Sequence, residues 1–515
     1  MPHQRPPQRV LAAKHTDCWA GRVGMIHSST ASGVENPGGF IPPFPHRWPH
    51  ALSPWQRLRL ARKNLIAPFE AAAFEFDFVS VKVLTKRVFV CNSPQTVQWA
   101  FGIKNEVFER KSPAMRHMLR PLLGDGLFIS DGATWRKRRR IVAPIIHASR
   151  LSAFAPVMTE TALALGERWS RLPAGATIDA LSEMAALTAE IICRSIFGRE
   201  LRQEQARAVV EGFNQFQRAV SRIDLLSFLG LPDWVPRLRR VEVYHSAKRI
   251  HRVIDEIIAT QRDRGDAEGP SVIGGLIDAR DPDTGAPLDA MAVRNEAVVI
   301  FMAGHETTAN TLAFAWYLLS QAPEVEARLR EELDTVLGGR PPTLADVPKL
   351  EFTRAVVEET LRLYPPIPIL AREALTDETI VGGQVPKGSI VMVIPWLLHR
   401  NRKLWDRPDH FLPERFLGAN VPTPDKWHYV PFSIGPRVCA GMAFGLTEAI
   451  LCVATLAQRF TLRLAAGHEM QPICRVSLRP GDSLPMTIHR RAGGALPATQ
   501  EAAPVTAAAC PFGHG

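Results

Sequence analysis

Seven cysteines are scattered over 515 residues, an odd number with no Cys-x-x-Cys pair. That spacing argues against a disulfide framework and for a reducing compartment, expected to be the cytoplasm. No run of about 18 or more apolar residues occurs, so no membrane span is expected. Residues 1–44 are rich in Pro, Gly, His and Ser and lack the continuous apolar core of a secretory signal. They are expected to form a disordered extension, as is the Ala, Pro and Gly-rich stretch 492–515. Internal repeats are absent, and nothing between 45 and 491 reads as a linker, so that span is expected to be one domain. No nucleic-acid motif accompanies the net charge of +11. The charge instead suggests an acidic partner protein.

The chain does have the make-up of a globular protein, 46% hydrophobic and 22% charged. Trp55 to Phe76 reads as helical, and Phe78 to Cys91 alternates like strands. Long helical stretches dominate the middle, and Glu378 to Val393 reads as short strands broken by Gly and Pro. The expected class is mainly α with a small β-rich lobe.

Three constellations carry chemistry. The first runs from Phe432 to Gly441, Phe-Ser-Ile-Gly-Pro-Arg-Val-Cys-Ala-Gly. Cys439 can supply a thiolate to haem iron, which pushes electron density onto the metal and favours O–O cleavage. Gly435 and Gly441 permit a flat loop with amides directed at the sulfur. Arg437 is a cation suited to a haem propionate. The apolar stretch after it reads as a buried helix from Ala443 to Leu456, whose N-terminus favours an anion.

The second constellation is Ala303-Gly304-His305-Glu306-Thr307-Thr308, inside an apolar helix expected over Asn295 to Gln321. A glycine there costs about 1 kcal/mol relative to alanine. An acid and a hydroxyl in a buried helix also need a reason. Helical spacing sets Val299, Ile300, Ala303 and Thr307 on one face, with Glu306 beside it. A bland reading remains open, in which Thr307 bonds back to its own helix. The third constellation is Glu359-x-x-Arg362 on a helix, one turn apart, followed by Pro413-Glu414-Arg415-Phe416.

Together these motifs resemble the cytochrome P-450 family. The Phe432–Gly441 run matches its haem signature, Phe-x-x-Gly-x-Arg-x-Cys-x-Gly, at every specified position. The Gly304–Thr307 run resembles its oxygen-activation motif. By that resemblance Gly304 makes room for dioxygen, Thr307 is the alcohol and Glu306 the proton-relaying acid. Glu359, Arg362 and Arg415 are implied to form a buried structural network. Trp135 and Arg139 match the family's Trp-x-x-x-Arg helix, and Arg372 its propionate arginine. With Phe432, Arg437, Cys439 and Gly441 they complete the expected haem contacts.

The resemblance covers about 45–491 and implies the P-450 fold with haem b (iron protoporphyrin IX). It further implies a monooxygenase that inserts one atom of dioxygen into an apolar small molecule. With no reductase domain in the sequence, electrons are expected from a separate acidic donor, a ferredoxin or flavodoxin with its reductase, and Arg136, Lys137 and Arg140 are candidate contacts. A haem-thiolate peroxygenase or isomerase is the alternative, as is a ligand sensor without turnover. Phe213, Phe216 and Phe228 are available as a substrate lid.

Overall fold

A computed structural model describes residues 39–83, 86–198, 240–264, 271–380, 383–418 and 425–491, with isolated positions between 205 and 216. Residues 1–38 of the expected extension 1–44, and all of 492–515, lie outside the described residues, as does Phe228.

The organising element is a 32-residue helix, Ala290–Gln321. It begins where the Asp289 side chain accepts from the Ala292 amide at 2.7 Å, which caps an otherwise unpaired donor. It ends before Pro323, which disfavours the helical conformation at the preceding residue. At 1.5 Å per residue it runs about 48 Å, and most of it is buried on all sides. This central helix packs against Ala180–Phe197, where the Thr188 hydroxyl donates to the His305 carbonyl at 2.9 Å. It also packs against Glu351–Leu363 and Met442–Ala457.

The β-rich part is a five-stranded sheet in the order Phe78–Val83, Lys86–Cys91, Ile390–Val393, Leu370–Glu373, Arg110–Lys111. Only the Lys86–Cys91 and Ile390–Val393 pair is parallel. A separate apolar cluster fills this lobe, with Phe89, Phe101, Phe108 and Val391 at its centre. Among the described residues, no helix is long and apolar enough to cross a membrane.

Two boundaries differ from expectation. Helix Pro54–Lys63 stops well before Phe76, and only a 3₁₀ turn at Ala71–Phe74 follows. Pro68 cannot donate within a helix. Asn64 instead turns its side chain to the Pro472 carbonyl at 2.8 Å. The folded body also reaches back to residue 39, before the expected start at 45. Phe40 packs on the Tyr317 ring, and the Pro43 carbonyl accepts from the Tyr364 hydroxyl at 2.7 Å.

Candidate active site

The Cys439 loop is shaped by left-handed backbone at Ser433 (φ 61°) and Gly435 (φ 73°). A β-carbon on Gly435 would lie 1.9 Å from the Phe101 carbonyl oxygen, so only glycine fits. The Cys439 amide closes the loop by donating to the Phe432 carbonyl at 2.9 Å. The Gly441 amide donates to the sulfur, and Arg139 and Lys111 lie near enough to favour its anion. Burial is the larger influence and pushes the thiol up. Yet the Cys439 side chain is accessible.

Around that loop lies a set of buried cations. Arg437 donates to the carbonyls of Glu109 (2.6 Å), Ser130 (2.6 Å) and Leu127 (3.3 Å). Its guanidinium sits 4.6 Å from the Trp135 ring. Arg372 is buried over the Phe101 ring, and its Nη2 has no hydrogen-bond partner. Burial, with Arg437 nearby, lowers its pKa to about 9. Lys111, also buried, is pushed well down by burial and by both arginines. Lys111 is depressed by both arginines and Arg372 by Arg437, and buried cations so placed need an anion. Arg139 spends Nη1 on the Val438 carbonyl at 2.8 Å, so it braces the residue before Cys439.

The central helix supplies the other side. Within its buried length Ala303 is exposed and Thr307 half-buried. The same helix touches the helix after Cys439. A β-carbon on Gly445 would sit 3.8 Å from the Thr308 hydroxyl. The Thr307 hydroxyl donates to the Ala303 carbonyl at 2.7 Å, which leaves its oxygen free to accept. Glu306 accepts from Ser477 and Arg479, each at 2.7 Å.

At Gly304 a β-carbon would meet Ile192 Cδ1 at 2.8 Å, so close packing against the neighbouring helix also favours glycine there. His305 turns to the neighbouring helix, its ring bonded to the Ala185 carbonyl and stacked on Phe301. Phe213 and Phe216 are buried, and Phe213 packs 4.5 Å from Phe301, as core rather than lid.

The third constellation assembles as expected. Arg362 Nε and Nη2 donate to the two oxygens of Glu359 at 2.6 and 2.7 Å, and Arg415 Nε lies 3.5 Å from Glu359 Oε1. Two groups escaped sequence reasoning. Lys111 carried no motif signal. Glu448 did, as the lone acid in an apolar helix. Burial pushes Glu448 well above the usual carboxylate range, and neither of its carboxyl oxygens has a hydrogen-bond partner.

These features fit haem. Cys439 would hold the iron, and Arg372, Arg437 and Lys111 would hold its carboxylates. Bound haem supplies the oxygen-transfer chemistry, and the protein supplies ligand, pocket and protons.

Comparison with known proteins agrees. The family model "Cytochrome P450" matches residues 42–482. Cyclooctatin synthase of Streptomyces melanosporofaciens is 33% identical over 454 residues, spanning 85% of this chain and 95% of that protein. Cyclooctat-9-en-7-ol 5-monooxygenase of the same organism is 33% identical over 398 residues, 76% of this chain and 84% of the relative. Pentalenene oxygenase of Streptomyces avermitilis is 26% identical over 400 residues, 77% and 86% of the two chains. The crystal structure of the cytochrome P450DA heme domain matches with a TM-score of 0.73 at 27% identity, covering 81% of this chain and 90% of that one. With the thiolate loop, the cation set and the opened helix, these matches make the chain a haem-dependent monooxygenase belonging to the cytochrome P450 family.

Proposed function

We propose that the enzyme oxygenates an apolar alicyclic compound, a ring hydrocarbon or its alcohol, with Thr307 and Glu306 serving proton delivery. The observation that carries this reading is the opening at Ala303 and Thr307 in a helix buried along most of its length. Its neighbours Val299, Ile300 and Met302 are all apolar. Ring compounds are favoured because two relatives are named for cyclooctat-9-en-7-ol and pentalenene.

The experiment supplies alicyclic and linear candidates with NADPH and a surrogate electron-transfer system. A substrate is recognised by a spin-state change in the haem absorption, and product and hydrogen peroxide are then counted per NADPH. The intact enzyme forms product with an alicyclic substrate. Thr307→Ala retains substrate affinity and NADPH consumption but diverts reducing equivalents to peroxide. Glu306→Gln slows the whole cycle, since relay groups are commonly worth about 10²–10⁴ in rate. A Thr307→Ala enzyme that stays fully coupled would mean that the bond to Ala303 is the whole role of the hydroxyl. Linear substrates turning over while every ring compound fails would overturn the substrate class.

Electrons are proposed to come from a separate acidic protein, a ferredoxin or flavodoxin, that meets the helix Gly132–Val142 beside Cys439. Arg136, Lys137 and Arg140 are about half-exposed there, but each already has an acid at hand. Glu109 lies 3.5 Å from Arg136, Asp281 3.6 Å from Lys137, and Asp283 2.7 Å from Arg140. Only the Arg140–Asp283 pair is exposed on both sides, and such pairs are weak and screened by salt, so an acidic partner can compete first for Arg140. Raising ionic strength should slow haem reduction by such a donor, chiefly through association. A rate indifferent to salt, and unchanged in an Arg136→Glu, Arg140→Glu double variant, would remove this surface.

A further inference from the structure

Glu306 is gripped from outside its own helix. The grip is a short hairpin in which Ile473 pairs with Arg479 and Cys474 with Leu478. Arg479 Nη2 and the Ser477 hydroxyl both donate to Glu306 Oε1 at 2.7 Å. Ser477 in turn accepts from Asn310 Nδ2 at 3.3 Å, one turn along the same helix. The bonds therefore run in one direction, from Asn310 through Ser477 to Glu306. An oxygen that receives two donors carries no proton itself, so this arrangement reserves Oε1 as an acceptor and fixes the orientation of the Glu306 carboxyl.

The hairpin is itself anchored. The Cys474 amide donates to Asn64 Oδ1 at 2.9 Å, and Asn64 Nδ2 donates to the Pro472 carbonyl at 2.8 Å. The Leu65 amide donates to the Cys474 carbonyl and the Leu478 amide to the Pro366 carbonyl, both at 2.9 Å. Arg479 thus projects from a fixed support. The Glu306–Arg479 pair is mostly enclosed, with side chains 15% and 25% exposed, so water screens it less than an open surface pair. Arg479 Nε is buried without a hydrogen-bond partner, so the guanidinium is committed to Glu306 at the expense of another donor.

We propose that Arg479, supported by Ser477, is a positioning residue for proton delivery. It keeps the Glu306 carboxyl fixed beside the opening at Ala303 and Thr307, and so sets how readily this acid passes protons to the site. The inference rests on the reading of Glu306 as the relay acid. For Glu306 to take up a proton, Oε1 must give up a donor or the other oxygen must serve. Arg479 governs the first route.

The test uses the holoenzyme with Arg479→Gln, Arg479→Lys, Glu306→Gln and the Glu306→Gln, Arg479→Gln pair. Substrate affinity, read from the spin-state titration, should be unchanged in all four. Arg479→Gln should lower product per NADPH about five-fold and enlarge the solvent deuterium isotope effect on NADPH oxidation, a smaller loss than the roughly 10²–10⁴ for a relay group removed outright. Arg479→Lys should restore most of both. On the Glu306→Gln background, Arg479→Gln should add nothing to either measure. The thermal unfolding midpoint gives a readout independent of turnover, and its losses should likewise be non-additive in the double variant.

If Arg479→Gln leaves yield and isotope effect unchanged while Glu306→Gln slows the cycle, the inference fails and the relay reading stands. Equal effects of Arg479→Gln on both backgrounds would also overturn it, because the arginine would then act through something other than Glu306. A Glu306→Gln enzyme with normal turnover would bring down the relay reading and this inference together.

Discussion

Cys439→His yields a haem protein that has lost the thiolate absorption of its reduced carbon monoxide complex and forms no oxygenated product. The band moves to the position of imidazole ligation. The expectation rests on the loop more than on the residue type. The Gly441 amide donates to the sulfur, and the Cys439 amide is tied to Phe432. Gly435 meets the Phe101 carbonyl with no room for a β-carbon. This geometry serves a small anionic atom, and a neutral ring in its place takes away the electron push onto the metal.

Other described cysteines offer no substitute. Cys91, Cys193, Cys452 and Cys474 are all buried. Burial pushes Cys91 and Cys474 up to about 12 and raises Cys193 and Cys452 as well, so none carries a thiolate near neutral pH. Cys439→Ala is the stricter control. Should that variant keep the thiolate-type band, the ligand is not Cys439 and the site has been misplaced.

Legibility in the sequence followed locality. The Cys439 loop was readable because its ligand, glycines and arginine lie within ten residues, each required by a distinct steric or charge constraint. The Glu359–Arg362 pair was readable for the same reason, one turn apart on a single helix. What went unread is long-range. Arg479 and Ser477 reach Glu306 across more than 170 positions, and no pattern near Glu306 announces them. Ile192 meets Gly304 from another helix, a packing reason for glycine that no neighbouring residue announces. Lys111 joins Arg372 and Arg437 only through the pairing of Arg110–Lys111 with Leu370–Glu373. The early start of the folded body was hidden because Phe40 and Pro43 sit in a proline-rich segment, and only their distant partners Tyr317 and Tyr364 reveal their burial.

The largest loss of stability is expected for Arg362→Ala. All five of the guanidinium's N–H groups are used. Nε and one Nη2 hydrogen go to Glu359, the Nη1 pair to the His399 and Pro408 carbonyls at 2.7 Å, and the remaining Nη2 hydrogen to the His410 carbonyl at 2.9 Å. Arg362 and Glu359 are both fully buried. Removing the arginine strands a buried carboxylate and three carbonyls. Arg415 at 3.5 Å and the Leu412 amide at 2.9 Å remain as partners for Glu359. Breaking a buried pair in this way costs about 3–5 kcal/mol, a large share of the roughly 5–15 kcal/mol that holds a domain folded.

The damage should reach the haem site through His399. Its Nδ1 donates to the Arg362 carbonyl at 3.2 Å, and its Nε2 accepts from the Val430 amide at 2.9 Å. Val430 in turn accepts from the Ser433 amide at 3.1 Å, at the entry to the Cys439 loop. Burial and the nearby arginines push His399 well down, so the neutral ring that this relay needs is the form present. Arg362→Ala should therefore lower both the denaturation midpoint and the haem retained after purification. Arg362→Lys should fall between, with three donors in place of five. Arg415→Ala, which removes only the longer contact, should lose less and remain measurable if Arg362→Ala does not fold. Haem content and a urea midpoint equal to the parent's in Arg362→Ala would show that the pair fills space without holding the loop.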